Sequence, residues 1–91
     1  MRAIPTIQVD NDRVIVTEWR FAPGAATGHH IHALDYVVVP LSTGTLRLEE
    51  ASGVRDVQLT AGVSYARGVG VAHNVVNVND HEFRFVEIEL K

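Results

Sequence analysis

Short β-prone runs alternate with turn residues along almost the whole chain. The runs are rich in Val, Ile, Thr, Tyr and Phe and recur roughly every ten residues, separated by clusters of Gly, Pro, Asn, Asp and Ser. Apolar residues at helical spacing are hard to find. Because the intervening segments are short enough for hairpins, this pattern predicts an all-β fold with largely antiparallel neighbours. The expected strands are Thr6–Val9, Arg13–Phe21, His29–Val39, Thr45–Glu50, Val54–Leu59, Ser64–Ala66, His73–Asn79 and Glu82–Leu90.

The length of 91 residues predicts one domain over residues 1–91, since so short a chain buries too little surface to divide its core. Eight basic residues stand against eleven acidic ones with no basic run, which argues against a nucleic-acid partner. No stretch approaches the roughly twenty apolar residues that span a bilayer, and the N-terminus has no signal-peptide pattern. We therefore expect no membrane association, a cytoplasmic location and a small-molecule ligand.

Two of the expected strands are apolar on both faces. Val37–Val39 is continuous, and the segment 83–90 carries apolar side chains at both parities. One face would then line a barrel, while the other packs on a second sheet or on a partner subunit. A β-bulge near Phe85-Val86 that switches the phase of the strand is the alternative. We expect a homodimer.

Three histidines form the candidate functional residues. His30 and His32 are two residues apart, so their side chains share one face of a strand and can bind one cation together. Taken alone, this pair is weak evidence, because paired histidines on a solvated strand are common. His73 offers a third ligand from a later strand, and the absence of cysteine leaves only nitrogen and oxygen ligands.

The segments around these histidines resemble the two motifs of the cupin superfamily. In the first motif a glycine and five residues precede H-x-H, as Gly24 precedes His30-Ile-His32, and Gly44 lies near the expected closing glycine. The second motif has two glycines, a histidine and an asparagine, and here these are Gly62, Gly70, His73 and Asn77, with Gly68 in place of the motif's proline. The resemblance implies a small double-stranded β-helix, or jelly-roll barrel, with His30, His32 and His73 as metal ligands.

The chain departs from the cupin pattern where the family has a glutamate ligand. Tyr36 or Val37 stands there, depending on the spacing. Tyr36 keeps the inward parity of His32 and could place a hydroxyl beside the site or ligate as phenolate. Asp35 should point away from the site unless the strand bulges. On the last strand, Glu87 or Glu89 could reach inward, and parity alone leaves this open.

Two other polar residues near the motifs are candidates for supporting roles. Asn77 shares the strand parity of His73 and belongs to the motif, although hydrogen bonds that stabilise the fold explain it equally well. Arg67 could anchor a substrate carboxylate at the mouth of the barrel. A surface charge is the other explanation for Arg67.

A site of three imidazoles suits Fe, Zn, Ni or Mn in the divalent state, and its uncompensated charge favours an anionic, chelating substrate. The resemblance includes short bacterial cupins, some of them labelled as proteins of β-alanine degradation. We therefore expect a metal-binding enzyme that acts on a small organic acid or related anion, similar to the three-His cupin dioxygenases. The alternatives are a non-catalytic module that binds a small ligand and a metal-free isomerase, which would need a carboxylate to orient a histidine base.

Overall fold

The computed structural model describes residues 1–91 and contains nine strands. Hydrogen-bonded pairing between strands is antiparallel throughout. None of the chain forms a long apolar helix of the kind that could cross a membrane. The strands are β1 Ile4–Asp10, β2 Val14–Phe21, β3 His30–Ile31, β4 Asp35–Pro40, β5 Gly44–Glu50, β6 Gly53–Leu59, β7 Tyr65–Arg67, β8 Ala72–Asn77 and β9 Phe83–Leu90.

The strands form two sheets that enclose one interior. A five-stranded sheet has the order β1-β2-β9-β4-β7, and a four-stranded sheet has the order β3-β8-β5-β6. The chain passes back and forth between the sheets, as in a jelly roll. The expectation of an all-β, antiparallel jelly-roll barrel is confirmed.

Alternation along β9 separates the interior from the outer face. Phe83, Phe85 and Glu87 are buried, while Val86 and Ile88, of the other parity, are only partly buried. The register of β9 against β2 and β4 runs without interruption, so the alternative of a bulge near Phe85-Val86 is wrong. The only register shift against β2 lies in β1, between Ile7 and Val9.

The expected strand His29–Val39 is two strands in the structure, and this prediction was wrong. β3 ends at Ile31 and pairs with β8, whereas β4 begins at Asp35 and pairs with β9 and β7 in the other sheet. One straight strand cannot belong to both sheets, so the chain turns a corner between them. His32 stays attached at this corner, since its N–H donates to Val71 O and its carbonyl accepts from Gly70 N, both at 2.8 Å.

Candidate metal site

The three histidines meet inside the barrel because two short strands carry them to one place. His30 on β3 is the register partner of His73 on β8, and His32 follows directly after β3. The Nε2 atom of His32 lies 3.1 Å from Nε2 of His30 and 3.1 Å from Nε2 of His73. The three rings are steeply inclined to one another, at 70–88°. His32 and His73 are buried and His30 is partly buried.

Polar contacts at the far side of two rings decide which nitrogen carries the proton. Nδ1 of His30 lies 2.9 Å from the carbonyl oxygen of Gly28, and this oxygen can only accept, so Nδ1 donates. Nδ1 of His32 lies 3.3 Å from Oε1 of Glu87, where a carboxylate likewise accepts. In the neutral tautomers both Nε2 atoms then present lone pairs to each other.

Convergent lone pairs at this separation fit a metal ion. Two bare nitrogens 3.1 Å apart repel each other unless a cation lies between them, and metal–imidazole bonds of about 2.0–2.1 Å allow both to share one ion. The three histidines each offer a ligand atom within 4.8 Å of the others. The cluster is therefore compatible with a divalent metal, and its all-nitrogen donor set suits Fe, Zn, Ni or Mn.

The surroundings of His73 favour its neutral form. Burial, together with the neighbouring His30 and His32, lowers its pKa from 6.5 to about 4. Its Nδ1 is buried without a hydrogen-bond partner. At neutral pH the imidazole therefore carries no charge and its Nε2 can ligate.

Tyr36 lies directly against the cluster. Its ring stacks on His32, with centroids 3.9 Å apart and an interplanar angle of 17°. Burial raises the pKa of Tyr36 to about 12, which favours the protonated phenol over a phenolate ligand. The hydroxyl is buried and has no hydrogen-bond partner in the protein, so it is free to donate to a bound molecule.

Glu87 is the buried carboxylate that the sequence left open. It is 7 % exposed, and its Oε2 accepts a hydrogen bond from Trp19 Nε1 at 2.8 Å. Its Oε1 faces Nδ1 of His32. The shared parity of Phe83, Phe85 and Glu87 was the signal in the sequence, since two aromatic residues mark the inward face of β9. Glu89 is only partly buried, and burial together with the charge of Glu87 raises its pKa.

The other expected site residues lie in different surroundings. Asp35 is exposed, and its Oδ1 accepts a hydrogen bond from Val69 N. Asn77 is fully buried and donates to the carbonyl oxygens of Phe21, Ala22 and His81. Neither Asp35 nor Asn77 lines the cavity at the histidines, whereas Arg67 does.

Three cavities meet at or near the cluster. An inner cavity of about 30 Å³ is lined by residues that include the three histidines, Tyr36, Glu87 and Arg67. An outer cavity of about 430 Å³ shares three of the inner cavity's lining residues and adds three more from β6. A third cavity of about 360 Å³ reaches His30 and His32 from another direction. The outer cavity is lined by Leu48, Arg55, Val57, Leu59, Tyr65 and Arg67.

Comparisons with known proteins agree with this architecture. The chain is 61 % identical over 90 residues to the β-alanine degradation protein BauB of Pseudomonas aeruginosa, covering 99 % of this chain and 95 % of that protein. The crystal structure of a cupin domain from Bordetella pertussis Tohama I superposes with a TM-score of 0.98 at 62 % identity, covering 99 % of this chain and 94 % of that one. No family model matches the chain. The chain belongs to the cupins, in the family of short cupin proteins that includes BauB.

More distant structures share the fold alone. The polyketide cyclase RemF from Streptomyces resistomycificus is 19 % identical with a TM-score of 0.79, over 98 % of this chain and 65 % of that one. A cupin superfamily protein from Desulfitobacterium hafniense is 16 % identical with a TM-score of 0.76, over 98 % of this chain and 77 % of that one. At such identities the barrel persists while the chemistry of the site is free to differ.

Proposed function

We propose that this protein is a metal-dependent enzyme in which His30, His32 and His73 hold a divalent ion that acts on a small organic acid or related anion. The observation that carries the proposal is the convergence of Nε2 atoms 3.1 Å apart in the barrel. The hydrogen bond from His30 Nδ1 to Gly28 and the contact of His32 Nδ1 with the Glu87 carboxylate direct two of those lone pairs inward.

A bound divalent ion would polarise an oxygen of the substrate and, if redox-active, could support dioxygenase-like chemistry. The chain's own residues supply the surroundings. Tyr36 presents a buried hydroxyl with no protein partner, which can hydrogen-bond the ligand. Val38, Leu46 and Phe85 give the inner cavity an apolar side. Glu87 holds the ring of His32 in place.

Two observations support a small acid as the substrate. Arg67 lines the inner cavity together with the histidines, so a cationic guanidinium is available to an anionic group. The relative of 61 % identity is described as a β-alanine degradation protein, and β-alanine is a small carboxylic acid. We place the protein in the same area of metabolism, in the cytoplasm.

Metal content tests the proposal first. Protein produced without a histidine tag is expected to contain close to one divalent ion per chain by elemental analysis. Replacement of His30, His32 and His73 by alanine should abolish this content, whereas the exposed His81→Ala control should retain it. Equal metal content in the triple variant and the control would refute the metal site.

Turnover tests the proposal next. Oxygen uptake and substrate loss are measured with the iron-loaded protein across small keto acids, dicarbonyls and thiols. Consumption of one class that depends on His73 supports an enzyme. A compound that binds and is recovered unchanged supports the second candidate, a non-catalytic binding module. The observation that favours this candidate is Tyr36, which offers no carboxylate where the cupin motif has a glutamate ligand.

A second copy of the chain is part of the proposal. On the outer face of the five-stranded sheet, Val9, Val16, Ile88 and Val37 follow one another as register partners across β1, β2, β9 and β4. Such an apolar row across the outer face of a sheet is typical of an interface. We infer a homodimer through this face. Sedimentation of Ile88→Lys should show monomers where the parent chain shows dimers, and an unchanged mass would exclude this interface.

A further inference from the structure

The inner cavity at the histidines is too small for a whole substrate, and two larger cavities, the outer cavity and the third cavity, lie beside it. The inner cavity of about 30 Å³ has room for an ion and roughly one further group, because a single water needs about 10–15 Å³ of such volume. The outer cavity, of about 430 Å³, adjoins it, since Leu48, Tyr65 and Arg67 line both. The reacting end of a substrate must therefore reach into the inner cavity while its remaining atoms lie in one of the two larger cavities.

The outer cavity brings two arginines to its lining. Arg55 is exposed and shares a face of β6 with Val57 and Leu59, and Arg67 lies on β7. Glu50 at the end of β5 is near both, with its Oε1 2.7 Å from Arg55 Nε and its Oε2 3.7 Å from Arg67 Nη2. Two guanidinium groups and one carboxylate leave a net charge of about +1. Most of the N–H donors of both arginines remain free for a ligand.

The third cavity has the opposite electrostatic character. It reaches His30 and His32 past the carboxyl groups of Glu87 and Glu89, with Arg2 as its only cationic lining residue. Two carboxyl groups against one guanidinium disfavour an anion. An anionic ligand is therefore drawn to the histidines through the outer cavity, along the side of Arg55 and Arg67.

We propose that Arg55 and Arg67 form a carboxylate-binding subsite, and that the substrate is a monocarboxylate whose short apolar chain lies against Leu48, Val57 and Leu59. Its other end would carry the oxygen or nitrogen group that reaches the histidines. This inference rests on the proposed function for the reacting end. The carboxylate end depends only on the two arginines.

Matched hydroxamates test the subsite. Hydroxamates bind metals through one end, so malonic, succinic and glutaric monohydroxamate are compared with alkyl hydroxamates that carry a methyl group in place of the carboxylate. Titration into Co²⁺-loaded protein is followed by the visible spectrum. At one of these lengths the carboxylate tail is expected to tighten binding about tenfold or more, as a charge-assisted contact does. This preference should disappear in Arg67→Gln and shrink in Arg55→Gln.

Arg47→Gln is the matched control, because it removes the same charge from the same β5–β6 hairpin. Arg47 pairs with Asp56 and lines none of the cavities, so the tail preference should survive. No preference at any length, or equal loss in Arg47→Gln, would overturn the subsite.

The two proposals fail in distinguishable ways. If Co²⁺ does not bind, the proposed function fails. The matched hydroxamates with carboxylate and methyl tails are then titrated into metal-free protein by calorimetry, which tests the arginines alone. A tail preference there that Arg67→Gln removes supports the subsite, and its absence refutes it. If Co²⁺ binds and the tails make no difference, only the subsite is refuted.

Discussion

Oε1 of Glu87 lies 3.3 Å from Nδ1 of His32, in the interior of the barrel. The second oxygen of the same carboxylate accepts the indole N–H of Trp19 at 2.8 Å, which fixes the orientation of the carboxylate. A carboxylate behind a ligating imidazole sets the tautomer and makes the ring a stronger base. Glu87 thus supplies a negative charge close to the three histidines, although not from the position of the cupin motif's glutamate.

Glu87→Gln is expected to weaken the affinity for Zn²⁺ or Co²⁺ by about 10–100-fold, the usual effect of losing such a partner. The amide keeps the shape of the side chain but cannot accept from Trp19 and His32 with two equivalent oxygens. Affinity is measured by competition with a chromophoric chelator. Glu89→Gln, two residues further along β9, is the charge-matched control. Equal affinities of the two variants would show that Glu87 does not position His32.

Tyr36→Phe is expected to separate stability from function. The hydroxyl is buried without a protein partner, so its removal leaves nothing else unsatisfied and should change the free energy of unfolding by less than about 1 kcal/mol. The stacking on His32 is kept by the phenyl ring. Urea unfolding measures the first effect, and ligand affinity or turnover measures the second. Unchanged affinity and turnover would contradict a role for this hydroxyl at the ligand.

Much of this architecture could be predicted from residue patterns, and what could not be predicted depends on long-range geometry. Strand periodicity predicted the all-β fold, the two-residue spacing placed His30 and His32 on one face, and the resemblance to the cupin motifs added His73 to the site. The corner at 32–34 was not predicted, because periodicity does not show that consecutive segments pair with different sheets. Glu87 stayed open for a related reason, since Glu87 and Glu89 share one parity and only the three-dimensional fold shows that Glu87 is the buried one.

Asn77→Ala is expected to destabilise the fold and leave the metal site intact. The side-chain amide of Asn77 satisfies carbonyl oxygens at the end of β2 and in the loop before β9, and its Oδ1 accepts from Asn79 N at 2.9 Å. Losing these buried bonds should lower the free energy of unfolding by roughly 2–4 kcal/mol. Chemical denaturation measures the loss. The metal content of the folded variant should match that of the parent chain, and a large loss of metal would instead place Asn77 at the site.

The stability of the metal-free protein is expected to depend on pH through His73. Its pKa in the folded state is about 4, against 6.5 when exposed, so between these values the unfolded chain binds more protons than the folded one. Stability therefore falls as the pH drops from about 6.5 towards about 4, and it is fully retained above that window.

Urea unfolding of the metal-free protein at a series of pH values measures this dependence, with His73→Asn as the comparison. The difference in unfolding free energy between parent and variant should shift against the parent as the pH falls through the window, because asparagine cannot take up a proton. The exposed His81→Asn serves as the control and should follow the parent curve. Parallel curves for the parent chain and His73→Asn would show that burial beside His30 and His32 does not hold His73 neutral.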